Sequence, residues 1–135
     1  MVVGPRVRLG CRKLRWAGNL VRRGEICLVD LDPARGSEAS KHRPAVVVSN
    51  DIANQTATRL GRGVVSVVPV TTNIDRIYPF QVLLPAAETG LSRDSKAQAE
   101  QVRSVAVERM GRRCGVLTPG LVRQLDQALR LHLAL

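Results

Sequence analysis

Lys41-His42-Arg43-Pro44-Ala45-Val46-Val47-Val48-Ser49 joins a polar loop to an apolar run. A run this short, rich in valine and bounded by polar residues, is a β-strand, and its lack of alternation implies burial on both faces. Pro44 holds Arg43 in extended conformations. Residues 36–44 before the valines are polar, so Arg43 stands where an open loop meets a fixed strand. That is a suitable place for a reactive cation.

Outward from this stretch the same grammar repeats. Residues 25–31 (Glu-Ile-Cys-Leu-Val-Asp-Leu) form a first strand, closed by Asp32-Pro33, and residues 45–49 a second. Residues 50–63 are polar, with two glycines, and read as loop with at most a turn of helix. Residues 64–72 form a third strand in which Pro69 argues for an edge or an interruption near the end. Residues 80–84 form a fourth, with Phe80, Val82 and Leu84 on one face. Further short strands are expected near 97–100, 104–107 and 114–117. The period then changes: Thr118-Pro119 supplies an N-cap and a first-turn proline. Leu121, Val122, Leu125, Ala128, Leu129 and His132 recur at helical spacing, predicting a closing amphipathic helix of about four turns. The fold class is mainly β with a C-terminal helix.

At 135 residues the chain is the size of one domain and needs no disulfide or metal staple. The aromatics are Trp16, Tyr78 and Phe80 alone, so the core must be aliphatic. The same scarcity speaks against a nucleic-acid reader built on stacking platforms. Basic residues outnumber acidic ones 21 to 11, and residues 1–24 hold seven of them with no acid, which favours a nucleic-acid partner. Cys11, Cys27 and Cys114 are an odd set without a close pair and read as reduced thiols, two of them buried in strands. No apolar stretch reaches membrane-spanning length and no signal segment opens the chain. A cytoplasmic protein is expected. Asp30 and Asp32 lack companions for a hard-cation site, the cysteines lack zinc spacing, and no glycine-rich phosphate loop is present. Neither metal nor cofactor is expected.

Several motifs occur in order: Arg23-Gly24-Glu25-Ile26, Asp30-Leu31-Asp32-Pro33, Gly36-Ser37-Glu38, Lys41-His42-Arg43-Pro44 and Val46-Val47-Val48-Ser49-Asn50-Asp51. They continue through Val70-Thr71-Thr72, Arg93-Asp94-Ser95 and Glu100-Gln101-Val102-Arg103-Ser104. Together they resemble the MazF/PemK toxin family over residues 22–134. The resemblance divides the chain into a basic extension, 1–21, and a toxin-like domain, 22–135. It implies a small SH3-like β-barrel, a homodimer, and a metal-independent endoribonuclease that cuts single-stranded RNA as the toxin of a toxin–antitoxin pair. A cognate antitoxin with an acidic C-terminal segment would cover the cationic groove. The family's catalytic arginine and threonine fall on Arg43 and Thr71. Similarity also points to Glu38, Lys41, Asn50, Ser95, Glu100, Gln101 and Arg103 as RNA-contacting or supporting residues.

The chemistry is coherent without the resemblance. RNA cleavage by its own 2′-hydroxyl needs a base, charge stabilisation at phosphorus and a countercharge for the leaving 5′-oxygen. A guanidinium fork matches phosphate oxygens, so Arg43 supplies the second need. Thr71 can donate its hydroxyl to the same phosphate; Thr72 beside it leaves an ambiguity of one position, which in a strand means opposite faces, and only the resemblance selects Thr71. Glu38 is the nearest base in sequence, and could equally pair with Lys41. His42 flanks the stronger candidate, and His132 belongs to the core-facing stripe of the helix. Two rival readings stay open: a non-catalytic, gyrase-binding toxin of the CcdB type, and a basic RNA-binding module without activity.

Overall fold

The structure, a computed structural model, describes residues 21–31 and 42–135. Most of the basic extension, together with Glu38, Lys41, Cys11 and Trp16, lies outside the described residues.

Among the described residues, seven strands and three helices follow one another: β1 (Glu25–Asp30), β2 (His42–Val47), α1 (Asp51–Leu60), β3 (Val64–Thr71), β4 (Gln81–Leu84), α2 (Ala86–Thr89), β5 (Ser95–Gln98), β6 (Arg103–Ala106), β7 (Met110–Val116) and α3 (Pro119–Leu133). Short 3-10 turns at Ala99–Gln101 and Val107–Arg109 flank β6. All pairings are antiparallel, in the order β4-β5-β3-β2-β1-β7 with β6 on β3. The mainly-β class with a closing helix is thus observed, while the barrel is approximate. β6 and β7 are consecutive in sequence and sit at opposite ends of the curl, with no ladder between them.

The valine run behaves as its composition requires. Ala45, Val46 and Val47 are all fully buried, because strand alternation sends them into two different cores. Val29, Ala45, Val47, Val65, Val67 and Val105 line one face. Ile26, Val46, Val68 and Val70 line the other, with Leu121, Leu125 and Ala128 of α3 packed on them. Arg23 ties these layers together: its Nη2 pairs with Asp126 of α3 at 2.6 Å and its Nε donates to the Val48 carbonyl at 2.9 Å.

Three expectations need correcting. Residues 51–60 form a ten-residue helix, not a loop: Asn50 caps it by accepting from the Ala53 N–H at 2.8 Å, and Gly61 ends it at φ +68°. Only Asn54 and Ala57 are buried from α1, while Ile52 and Leu60 face outward, so there was no apolar stripe to read. Pro69 sits inside the sheet, at the point where the outer neighbour of β3 changes from β6 (residues 64–67) to β5 (residues 70–71). The interruption is real and the edge is not. Finally, α3 carries the foreseen cap, with the Thr118 hydroxyl accepting from Leu121 N–H at 3.2 Å, but His132 is exposed rather than core-facing.

Two predictions follow from packing. A Cβ at Gly115 would lie 2.7 Å from the Thr89 carbonyl oxygen and 3.2 Å from Ile26 Cδ1. Gly115→Ala is expected to lower stability by about 1–3 kcal/mol, read as a lower denaturant midpoint. An unchanged midpoint would contradict the close approach of β7 to α2. Burial, reinforced by the charge of Glu25, pushes the Cys27 thiol up to about 12. Since only thiolates alkylate, about one Cys27 in 10⁴ is reactive at pH 8. Iodoacetamide should label it only after denaturation, checked by peptide mapping, and rapid native labelling would refute its burial.

Candidate functional site

Arg43 is the second residue of β2 and is exposed, so it stands on the strand itself instead of in the preceding loop. Its ladder partner on β1 is Val29, and Asp30 faces His42. The register of β2 on β3 runs Ala45↔Pro69, Val46↔Val68, Val47↔Val67. Continued by two residues, it sets Arg43 opposite Thr71, the last residue of β3. Directly opposed residues of antiparallel strands share a face, so Thr71 is on Arg43's side and Thr72 is turned away. The Thr71 Oγ1 accepts from the Asn73 N–H at 3.2 Å, which leaves the hydroxyl hydrogen available for a ligand.

Two further arginines bracket the end of β1. Arg103 on β6 donates from Nη1 to the Leu31 carbonyl at 3.0 Å. Arg109 donates to the Asp30 carbonyl at 3.1 Å and lies 3.9 Å from its carboxylate. They span the side where the sheet leaves β6 and β7 unpaired. The carbonyls of Asp30 and Leu31 are thereby held by arginines from two elements.

The floor beyond Thr71 is a polar network. Lys96, the ladder partner of Thr71 on β5, is buried, and its Nζ donates to the Arg76 carbonyl at 2.6 Å. Gln81 accepts from the Tyr78 N–H at 3.1 Å and donates from Nε2 to Glu100 Oε2 at 2.9 Å. The other oxygen of Glu100 is buried with no hydrogen-bond partner. A carboxylate held with one oxygen unsatisfied is costly.

The residues expected from sequence therefore divide. Arg43 and Thr71 share a face by the parity of β2 and β3, two residues beyond the last recorded pair. Glu100, Gln101 and Arg103 follow one another across the 3-10 turn into β6, with Gln101 and Arg103 exposed. Asn50 spends its side-chain oxygen on capping α1, and the buried Ser95 donates to the Arg93 carbonyl at 2.9 Å. Lys96, Gln81 and Arg109 were missed. Nothing in Ser95-Lys96-Ala97-Gln98 distinguishes a buried lysine from a solvated one, because the carbonyl that receives it is 20 residues away.

A cleft of about 610 Å³ is lined by Leu28, Pro44, Leu91, Arg112, Arg113 and Cys114 among others. Leu28 and Pro44 alternate with Val29 and Arg43, so the cleft opens on the opposite face of β1 and β2 and is separate from this site.

Residues 22–133 match the family model described as PemK-like, MazF-like toxin of type II toxin-antitoxin system. The chain is 66% identical over 116 residues to endoribonuclease MazF9 of Mycobacterium tuberculosis, covering 86% of this chain and 98% of that protein. It is 32% identical to endoribonuclease EndoA of Bacillus subtilis, covering 86% and 97%. Among solved structures it resembles an endoribonuclease in complex with its cognate antitoxin from a mycobacterial species. There the TM-score is 0.64 at 24% identity, covering 84% of this chain and 95% of that one.

Proposed function

The chain belongs to the PemK-like, MazF-like toxins of type II toxin–antitoxin systems, and we propose that it cuts single-stranded RNA with Arg43 and Thr71 at the scissile phosphate. The observation that supports this assignment is the β2–β3 register from Ala45↔Pro69 to Val47↔Val67, whose parity, carried two residues beyond the ladder, gives Arg43 and Thr71 the same face. An endoribonuclease toxin with a cognate antitoxin is the activity that its relatives support. The family match does not favour a gyrase-binding toxin or an inactive RNA-binding module.

In this reading the RNA 2′-hydroxyl gives its proton to a base as its oxygen attacks the adjacent phosphorus, the P–O5′ bond breaks, and the departing 5′-oxygen takes a proton from solvent water, giving a 2′,3′-cyclic phosphate and a free 5′-hydroxyl. Negative charge grows on the non-bridging oxygens. Arg43 meets it with a bidentate fork and Thr71 with one hydroxyl, both anchored on strands before substrate arrives. A guanidinium is a poor acid near neutral pH, so its contribution is electrostatic. Glu38 is the proposed base for the 2′-hydroxyl. Lys41, Gln101 and Arg103 take neighbouring phosphates or bases, and Glu100 supports the site by holding Gln81 through its Oε2. Asn50 and Ser95, already engaged within the protein, support the site by fixing α1 and the start of β5.

The acting unit is proposed to be a homodimer, and the antitoxin to cover the cationic site with an acidic C-terminal segment. Residues 1–21, an extension outside the family match, add long-range attraction for RNA through their positive charge. No helix among the described residues is long and apolar enough to cross a membrane, and a cytoplasmic location is proposed.

The test is cleavage of a long RNA in EDTA. Wild-type protein should give discrete fragments, and Arg43→Ala should cut about 10²-fold more slowly or worse, the scale for losing a charge-stabilising donor. Cutting by Arg43→Ala at the wild-type rate would overturn the assignment.

A further inference from the structure

Two of the three aromatic residues in this chain are absent from its cores. Tyr78 and Phe80 lie in the connection between β3 and β4, their rings stacked with centroids 5.4 Å apart and planes within 4°. Tyr78 is 42% exposed. Large aromatic side chains ordinarily serve a core, and this core is short of them. The Arg76 guanidinium carbon lies 5.5 Å from the Tyr78 ring centroid, and its Nη1 is 3.3 Å from the phenolic oxygen. A flat π-surface and a cation are thus presented together on the outside of the protein.

The segment is held rigidly. Lys96 Nζ grips the Arg76 carbonyl at 2.6 Å, the Tyr78 N–H meets the Gln81 side chain at 3.1 Å, and the Gln81 N–H returns to the Tyr78 carbonyl at 2.8 Å. At its start, Asn73 N–H bonds to the Thr71 hydroxyl oxygen. Lys96 is also the ladder partner of Thr71. One residue therefore fixes the stack relative to the proposed cutting site. Ordering costs are met before a ligand binds, which is the condition for a stacking surface to yield affinity.

We propose that the Arg76–Tyr78–Phe80 stack is a base-stacking subsite, taking one unpaired nucleobase of the RNA strand beside the scissile phosphate. The proposal rests on the ribonuclease reading above. A nucleobase fits the chemistry because it is planar and has a π-face for Tyr78 and Arg76 alike, and its attached phosphates suit the net positive chain. An acidic peptide would use the guanidinium but leave the ring pair without a planar partner. Stacking tolerates any base, so this subsite contributes affinity and strand register, while edge contacts elsewhere choose the sequence.

The experiment uses the full chain and an RNA oligonucleotide containing a mapped cut site, with a 2′-deoxy sugar at that site so that binding is read without cleavage. Abasic nucleotides are placed one at a time along it. Tyr78→Ala should weaken binding about 5- to 100-fold, and Tyr78→Phe should restore it. One abasic position should cost wild type a similar factor and cost Tyr78→Ala nothing. In wild-type protein, 2-aminopurine at that position should be quenched on binding, a readout independent of how any variant folds. Equal abasic penalties in wild type and Tyr78→Ala, or no quenched position, would overturn the proposal. So would a Tyr78→Ala defect confined to capture of an acidic antitoxin peptide. The all-ribose RNA run alongside separates the two claims: if wild type cuts it and no coupling appears, only the subsite fails, whereas no cutting defeats the ribonuclease reading.

Discussion

The antiparallel register of β2 on β3 is the constraint on which the rest depends. Ala45, Val46 and Val47 lie opposite Pro69, Val68 and Val67, and each is wholly buried. A slip by one residue would move every one of these side chains to the wrong core. The packing that forbids the slip also decides what happens two residues further on, where the strands leave the core. There the same parity presents Arg43 and Thr71 on one side. Site geometry is in this sense a by-product of valine packing, and its accuracy is that of the core.

Around this pair the structure uses cations first as fasteners. Arg23, Arg103, Arg109 and Lys96 each donate to a backbone carbonyl, and three of these bonds lie around the end of β1 or the loop after Thr71. A sheet that curls without closing leaves ends that would fray. Arg103 on β6 reaches across the gap to the Leu31 carbonyl at the end of β1, and Arg109 beside β7 holds the Asp30 carbonyl. The excess charge in the composition thus has two separable uses, one holding loops and one attracting substrate.

Much of this was legible in the sequence because it depends on local pattern. The valine run, the Thr118-Pro119 helix start and the strand positions follow from alternation, capping and turn residues, and the ordered motifs carried the family. The α1 helix was missed although Asn50 and Gly61 mark its ends, because a helix that buries only Asn54 and Ala57 offers no apolar period. The same blindness applied at the site. Arg43 and Thr71 were found as motif residues, while the choice of Thr71 over Thr72 became physical only with the register. Lys96, Gln81 and Glu100 are placed by partners 19 or 20 residues away in sequence. The scarcity of aromatics was legible, whereas the stacking of Tyr78 on Phe80 depends on the fold of the β3–β4 connection.

The central claim is that Arg43 and Thr71 act on one phosphate because one register delivers both. A double-mutant cycle measures this directly: single-turnover cleavage rates of wild type, Arg43→Ala, Thr71→Val and the double variant on one RNA, with Thr72→Val as the opposite-face control. The account predicts a large loss for each single variant, a double variant much less impaired than the product of the two, and near-wild-type rates for Thr72→Val. Strictly multiplicative losses, or a larger defect in Thr72→Val than in Thr71→Val, would contradict it.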